Sequence, residues 1–177
     1  MKSFISLELP PEIKDNLFNL QNSFDKRYAK IQWVAKKNLH ITLKQLGEVS
    51  DSELDIIQKT LGNIVFEPFT LKLVNVKLFY KNNNPSVIYV DIFSKKDIIS
   101  LQQKIDAELL QISPHIQIFS SHVSLGRIKL IKKEKFKEYI SELKFSSKEF
   151  LIDKFTLMES VSAKGNQKYN ILKKFNK

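Results

Sequence analysis

The sequence predicts an α+β domain built from a duplicated half. Period-two runs of apolar and polar residues alternate with stretches that place apolar residues every third or fourth position, so strands and helices follow one another along the chain. A four-residue phrase of His, aliphatic, hydroxyl and Leu occurs twice, as His40-Ile41-Thr42-Leu43 and as His122-Val123-Ser124-Leu125. Each copy follows a helix and a connecting segment and leads into another short helix. That shared order implies a pseudo-two-fold relation between the halves.

The elements follow in order. Phe4 to Leu9 reads as a first strand, stopped by Pro10-Pro11, which cannot donate to a ladder. A helix follows with Ile13, Leu17, Leu20 and Phe24 on one stripe. Ile31 to Val34 and Leu39 to Gln45 read as strands, and Ser50-Asp51-Ser52-Glu53 is a capping box that opens a helix burying Leu54, Ile57 and Leu61. Phe69 to Leu73 and Val76 to Tyr80 form a long alternating run. Lys81 to Pro85 is the one loose stretch, and Val87 to Phe93 is another strand. A helix from Lys96 to Gln111 carries Ile98, Leu101, Ile105 and Leu109. Then come a strand from Ser121 to Lys129, a helix from Lys133 to Leu143, and strands over Phe150 to Ser160 and Tyr169 to Phe175. No long linker divides residues 1–177, whose length suits one domain.

In a strand, residues i and i+2 share a face, so each phrase presents an imidazole with a hydroxyl while its aliphatic and Leu enter the core. Two such strands bring two histidines and two hydroxyls into one cleft. Imidazoles near their ordinary pKa suit paired acid-base work, one accepting a proton while the other donates. Hydroxyls beside them suit a phosphodiester, whose non-bridging oxygens need hydrogen-bond donors.

Composition narrows the chemistry. There is no cysteine, which removes disulfides, thiolate metal sites and thiol nucleophiles, and fits a reducing cytoplasm. The N-terminal apolar stretch reaches Glu8 and two prolines too soon for a signal peptide or membrane span. Net charge is +10, which favours anionic partners, nucleic acid first. Of 29 basic residues only two are arginine, and one, Arg127, follows the second phrase closely. Its planar fork binds phosphate in a way lysine does not reproduce. Arg27 lies in a polar helical stretch, with no such neighbourhood.

No Gly-x-Ser-x-Gly elbow and no glycine-rich phosphate loop occurs, and the three histidines have no zinc-binding spacing. We therefore expect no metal and no cofactor. Strict alternation would turn Arg127 away from His122 and Ser124, so its phosphate role requires a β-bulge, which Gly126 can provide. Lys44 shares the parity of His40 and Thr42 and is expected at the cleft edge. Trp33, Phe4, Tyr80 and Tyr169 are candidates for stacking a base. His115, after Pro114 and without a hydroxyl at i+2, reads as a loop residue.

Taken with their surroundings, these phrases resemble a known family. Trp33-Val34, then Asn38-Leu39-His40-Ile41-Thr42-Leu43-Lys44, then Leu46-Gly47-Glu48-Val49, with Gly126-Arg127 after the second phrase and Tyr169 near the end, are similar to the two-histidine phosphoesterases. The closest likeness is to their RNA 2',3'-cyclic phosphodiesterase branch, also called 2'-5' RNA ligases. The resemblance implies a bilobal fold with two antiparallel sheets facing a central cleft and helices outside. It implies opening of an RNA 2',3'-cyclic phosphate to a 2'-phosphate, with His40 as proton donor and His122 as proton acceptor. Thr42, Ser124 and Arg127 would bind the phosphate, with Tyr169 at the cleft edge. The expected partner is RNA ending in a cyclic phosphate, the expected state a monomer, and no membrane is involved. Ser124 and Ser121 stand where the family more often has Thr and Pro, and Gln45 where it often has Phe.

The symmetry of the phrases leaves the two histidines interchangeable on sequence alone. Ligation or hydrolysis of 2'-5' linkages with the same residues, or a non-catalytic RNA-binding module, are the alternatives.

Overall fold

A computed structural model describes residues 1–114, 118–163 and 166–176. The reading of His115 as a loop residue lies outside them. The first half runs β1 (Lys2–Glu8), α1 (Pro11–Ser23), β2 (Ala29–Trp33), a 3-10 turn (Lys36–Asn38), β3 (His40–Glu48), α2 (Asp51–Gly62) and β4 (Phe69–Leu71). The second runs β5 (Leu73–Lys81), β6 (Asn84–Ile92), α3 (Lys96–Glu108), β7 (His122–Ile131), α4 (Phe136–Glu142) and β8 (Phe150–Ile152), and β9 (Lys154–Ala163) and β10 (Asn166–Asn176) close the chain.

The duplication is visible in this order: β1-α1-β3-α2-β4 is answered by β6-α3-β7-α4-β8. All strand pairing is antiparallel. One four-stranded leaf runs β10-β9-β1-β3, and the other comprises β5, β6, β7 and β2, with β2 pairing on β7. The leaves are joined at a single pair, Ile41 against Val123, so hydrogen bonding makes them one continuous sheet. That junction is the middle of both phrases. A separate ribbon, β4 with β8, pairs the two halves again at their C-terminal ends.

Helices bury one face each. In α1 these residues are Ile13, Leu17 and Gln21, in α2 Ile57 and Leu61, and in α3 Ile98, Leu101, Gln102 and Ile105. The Ser50 capping box forms, with both reciprocal hydrogen bonds present. Ile5, Leu7, Ile41, Val123 and Leu125 lie in the shared core, so the aliphatic and Leu of each phrase are buried as their alternation requires.

Five boundaries differ from the sequence reading. Lys81 to Pro85 is no loose loop: Lys81 pairs with Asn84, and Asn82 and Asn83 form a two-residue turn with φ of 50° and 63°. Asparagine tolerates that left-handed backbone, which is why a run of three could close a hairpin. The run Phe69 to Leu73 breaks at Lys72, and Phe150 to Ser160 breaks at Asp153. In both cases one residue carries the chain from the ribbon into a leaf. The helix expected to reach Gln111 ends at Glu108, where Leu109 caps it and its carbonyl accepts from Ile112 and Ser113. The helix expected from Lys133 begins at Phe136.

Candidate active site

The antiparallel pair Ile41–Val123 sets His40 toward Ser124 and Thr42 toward His122. Each imidazole is thus near its own phrase's hydroxyl and across from the other's. His40 Nδ1 lies 2.7 Å from the Asn38 carbonyl and its Nε2 lies 3.0 Å from Thr42 Oγ1. His122 repeats this, with Nδ1 2.7 Å from the Ser120 carbonyl and Nε2 3.1 Å from Ser124 Oγ. A carbonyl can only accept, so each Nδ1 carries the proton. In the neutral ring Nε2 is then the basic atom, and it is the one facing the hydroxyls. Asn38 is itself fixed, its side chain donating to the Gln167 carbonyl at 2.7 Å.

Both rings sit in aromatic boxes. His40 packs 5.0 Å from Phe4 and 5.3 Å from Tyr169, centroid to centroid, and His122 packs 4.7 Å from Phe79 and 5.3 Å from Tyr89. Burial pushes both imidazoles below their ordinary value of 6.5, against the pull of the carbonyls on Nδ1. Their charged neighbours differ. Lys14 and His122 further disfavour a charged His40, whereas His122 feels Asp91, opposite it on β6, which favours its charged form, and Lys95, which opposes it. Asp91 is held by Lys77 and Lys95 at 2.5 and 2.6 Å. Burial alone would raise its carboxyl, but these bonds keep it below the ordinary carboxylate value.

The bulge expected near Gly126 is present. Between Ser124 and Gly126, β7 advances two residues while β6 advances one, from Tyr89 to Ile88. Arg127 then pairs with Val87, which shares the face of Tyr89, and so returns to the side of Ser124. Its charge is felt at Tyr169, whose phenol burial holds above the ordinary value and Arg127 pulls the other way. The glycine has a second reason to be there. A Cβ at Gly126 would come within 2.6 Å of Ile31 and 2.8 Å of Trp33, so β2 could not close on β7.

A matching bulge lies on β3, between Thr42 and Lys44 opposite Ser6 and Ile5. It takes Lys44 out of step with His40 and Thr42. Lys44 is buried, its Nζ donates to Asp106 of α3 at 2.7 Å, and Gln102 donates to the other oxygen of that carboxylate. Lys44 still borders a cavity of about 290 Å³ that Thr42, Gln45, His122 and Ser124 also line. Of the stacking candidates, Phe4 and Tyr169 reach the site. Trp33 instead packs edge-on to Phe24 at 5.3 Å, and Tyr80 is exposed beneath Lys137.

Sequence reasoning missed Phe79 and Tyr89, whose contact with His122 depends on strand order. It missed Gln21, a buried glutamine whose Nε2 donates to Val34 and Leu125 carbonyls at 3.0 and 2.9 Å. Its signal was present, as a polar residue on the apolar stripe of α1. Among the described residues no group of three His, Cys, Asp or Glu is arranged to hold a metal ion, and no helix is long and apolar enough to cross a membrane.

A family model described as LigT like phosphoesterase matches residues 7–89, a span that holds the first phrase and ends before the second. The RNA 2',3'-cyclic phosphodiesterase of Methanocaldococcus jannaschii is 28% identical over 165 residues, which cover 89% of this chain and 92% of that protein. The protein of the same name from Thermotoga maritima is 25% identical over 178 residues, covering 97% and 93%. Among solved structures, E. coli LigT complexed with NADP+ has a TM-score of 0.80 at 24% identity, over 99% of this chain and 96% of that one. The second phrase, outside the matched span, is supplied by the internal repeat, which sets its histidine and hydroxyl against the first. The chain is thus similar to the LigT-like phosphoesterases, through the family model over its first half and through these relatives over nearly its whole length.

Proposed function

We propose that this chain hydrolyses RNA 2',3'-cyclic phosphate ends to 2'-phosphomonoesters by metal-independent acid-base catalysis. The observation that carries the reading is the pair of Nε2 atoms, each aimed at a hydroxyl from a phrase that faces its twin across one strand pair. The names of the M. jannaschii and T. maritima relatives agree with it.

Water adds to phosphorus as His122 Nε2 takes its proton. The bond from phosphorus to the 3' oxygen breaks, and that oxygen takes the proton of His40 Nε2. Thr42 and Ser124 donate to the non-bridging oxygens, and Arg127 supplies the permanent charge that stabilises the crowded transition state. The aromatic boxes and the carbonyls on Nδ1 keep each ring from rotating. Lys44 and Tyr169 edge the cleft.

A second reading exchanges the two histidines. Asp91, opposed by Lys95, favours a charged His122, while Lys14 disfavours a charged His40, and this is the observation on the side of the exchange. The position of the bound anion between the rings then decides the roles.

Replacing either histidine by alanine tests the shared claim. His40→Ala and His122→Ala should each lower kcat by about 10²–10⁴-fold with thermal stability largely kept. A non-catalytic RNA-binding module predicts no loss of RNA function from either substitution.

A further inference from the structure

A groove of about 580 Å³ is lined by Lys14, Lys36, Lys37 and Lys154, with Glu8 and Asp153 among them, around an apolar part that includes Pro10, Leu151 and Ile152. We infer that this groove binds the backbone phosphates of the RNA strand leading to the reacting end, so that the enzyme recognises a polymer and not only a terminal nucleotide. The inference rests on the phosphodiesterase reading.

Continuity with the catalytic residues carries the first step. Glu8 stands opposite His40 in the β1–β3 ladder, and Lys36 and Lys37 belong to the 3-10 turn whose Asn38 carbonyl holds His40 Nδ1. The groove therefore adjoins the turn that holds His40. Lys14 lies near enough for its charge to act on His40.

Charge balance carries the second step. Glu8 is paired with Lys174 at 2.8 Å, Asp153 with Lys154 at 3.4 Å, and Lys36 with Asp15. Lys14 donates to the Lys37 carbonyl at 3.2 Å. Among the described residues, Lys14 and Lys37 have no carboxylate within ion-pair distance, so the groove keeps a surplus of positive charge. Its apolar part is aliphatic and proline with no aromatic residue, so it offers no ring for a base to stack on, and the lysines are its anion-binding groups.

The test compares two substrates with the full-length chain: an RNA of about twelve nucleotides ending in a 2',3'-cyclic phosphate, and a 2',3'-cyclic mononucleotide too short to reach the groove. The variants are Lys36→Ala with Lys37→Ala, and separately Lys37→Glu. Lys14 is left in place because its charge reaches His40. The ratio of kcat/KM for the RNA to that for the mononucleotide should fall roughly tenfold, and the salt dependence on the RNA should flatten by about 0.7 in log-log slope per lysine removed.

An unchanged ratio, whether both substrates keep their rates or both lose equally, overturns the inference. If the unaltered protein turns over neither substrate, the phosphodiesterase reading fails by itself. The groove is then judged on binding of a fluorescent RNA without a cyclic end: a tenfold weaker Kd in the variants supports it, and an equal Kd overturns it.

Discussion

The juxtaposition of each histidine with its hydroxyl was legible because it is local. A histidine and a hydroxyl two positions apart in a strand must share a face, and the hydrogen bonds from each Nε2 to its own phrase's hydroxyl follow from that spacing. What surrounds them was not legible. Phe79, Tyr89 and Asp91 reach His122 only because β6 lies beside β7 with β5 next in the sheet, and Lys44 meets Asp106 only because α3 packs on β3. Gln21 belongs to the same class, joining α1 to the carbonyls of Val34 and Leu125 over 13 and 104 residues of sequence. Gln21→Leu keeps the bulk and removes both donated bonds, one of them fully buried. It should destabilise the protein by about 1–3 kcal/mol in denaturant unfolding, and an unchanged midpoint would show the bonds to be dispensable.

Bulges are where the elements matter most. On β7 the extra residue turns Arg127 back to the face of Ser124, and on β3 its counterpart sends Lys44 toward α3 and brings Gln45 opposite Phe4. The first was anticipated from Gly126 and from the parity that Arg127 needed. The second has no glycine to mark it, since Leu43 and Lys44 accommodate it without one. Gly126 is not needed for a left-handed backbone, because Gly47 is the only glycine with positive φ among the described residues. It is needed because Ile31 and Trp33 lie over it. Gly126→Ala should therefore cost about 1–3 kcal/mol by overpacking, and by prising β2 from β7 it should also lower activity. Full stability together with full activity would contradict this account. The strand break at Lys72 was hidden for a related reason: alternation continues through it from Phe69 to Leu73, and only the partner strands change.

At the scale of the whole molecule, the duplicated fold holds two half-buried imidazoles at one junction, and this couples stability to pH. Burial lowers both pKa values from 6.5, so in the window between the lowered folded values and 6.5 the unfolded chain binds protons that the folded one refuses. That contribution is fully present above pH 6.5 and is lost as pH falls through the window. The melting temperature of the unliganded protein should fall between pH 7 and pH 5. His40→Gln should flatten that fall, and a melting temperature that stayed level or rose would contradict the burial of neutral rings. Inorganic phosphate should oppose it, because an anion between the rings favours their charged forms.

The most direct test of the central claim is the product itself. The protein is incubated with an oligonucleotide ending in a 2',3'-cyclic phosphate, in EDTA, and the end formed is identified by its susceptibility to 2'- or 3'-specific dephosphorylation. Acid-base catalysis with His40 protonating the 3' oxygen predicts turnover that EDTA does not reduce and a 2'-phosphate product. A 3'-phosphate would reverse the assigned leaving group, and absence of turnover would contradict the proposed activity altogether.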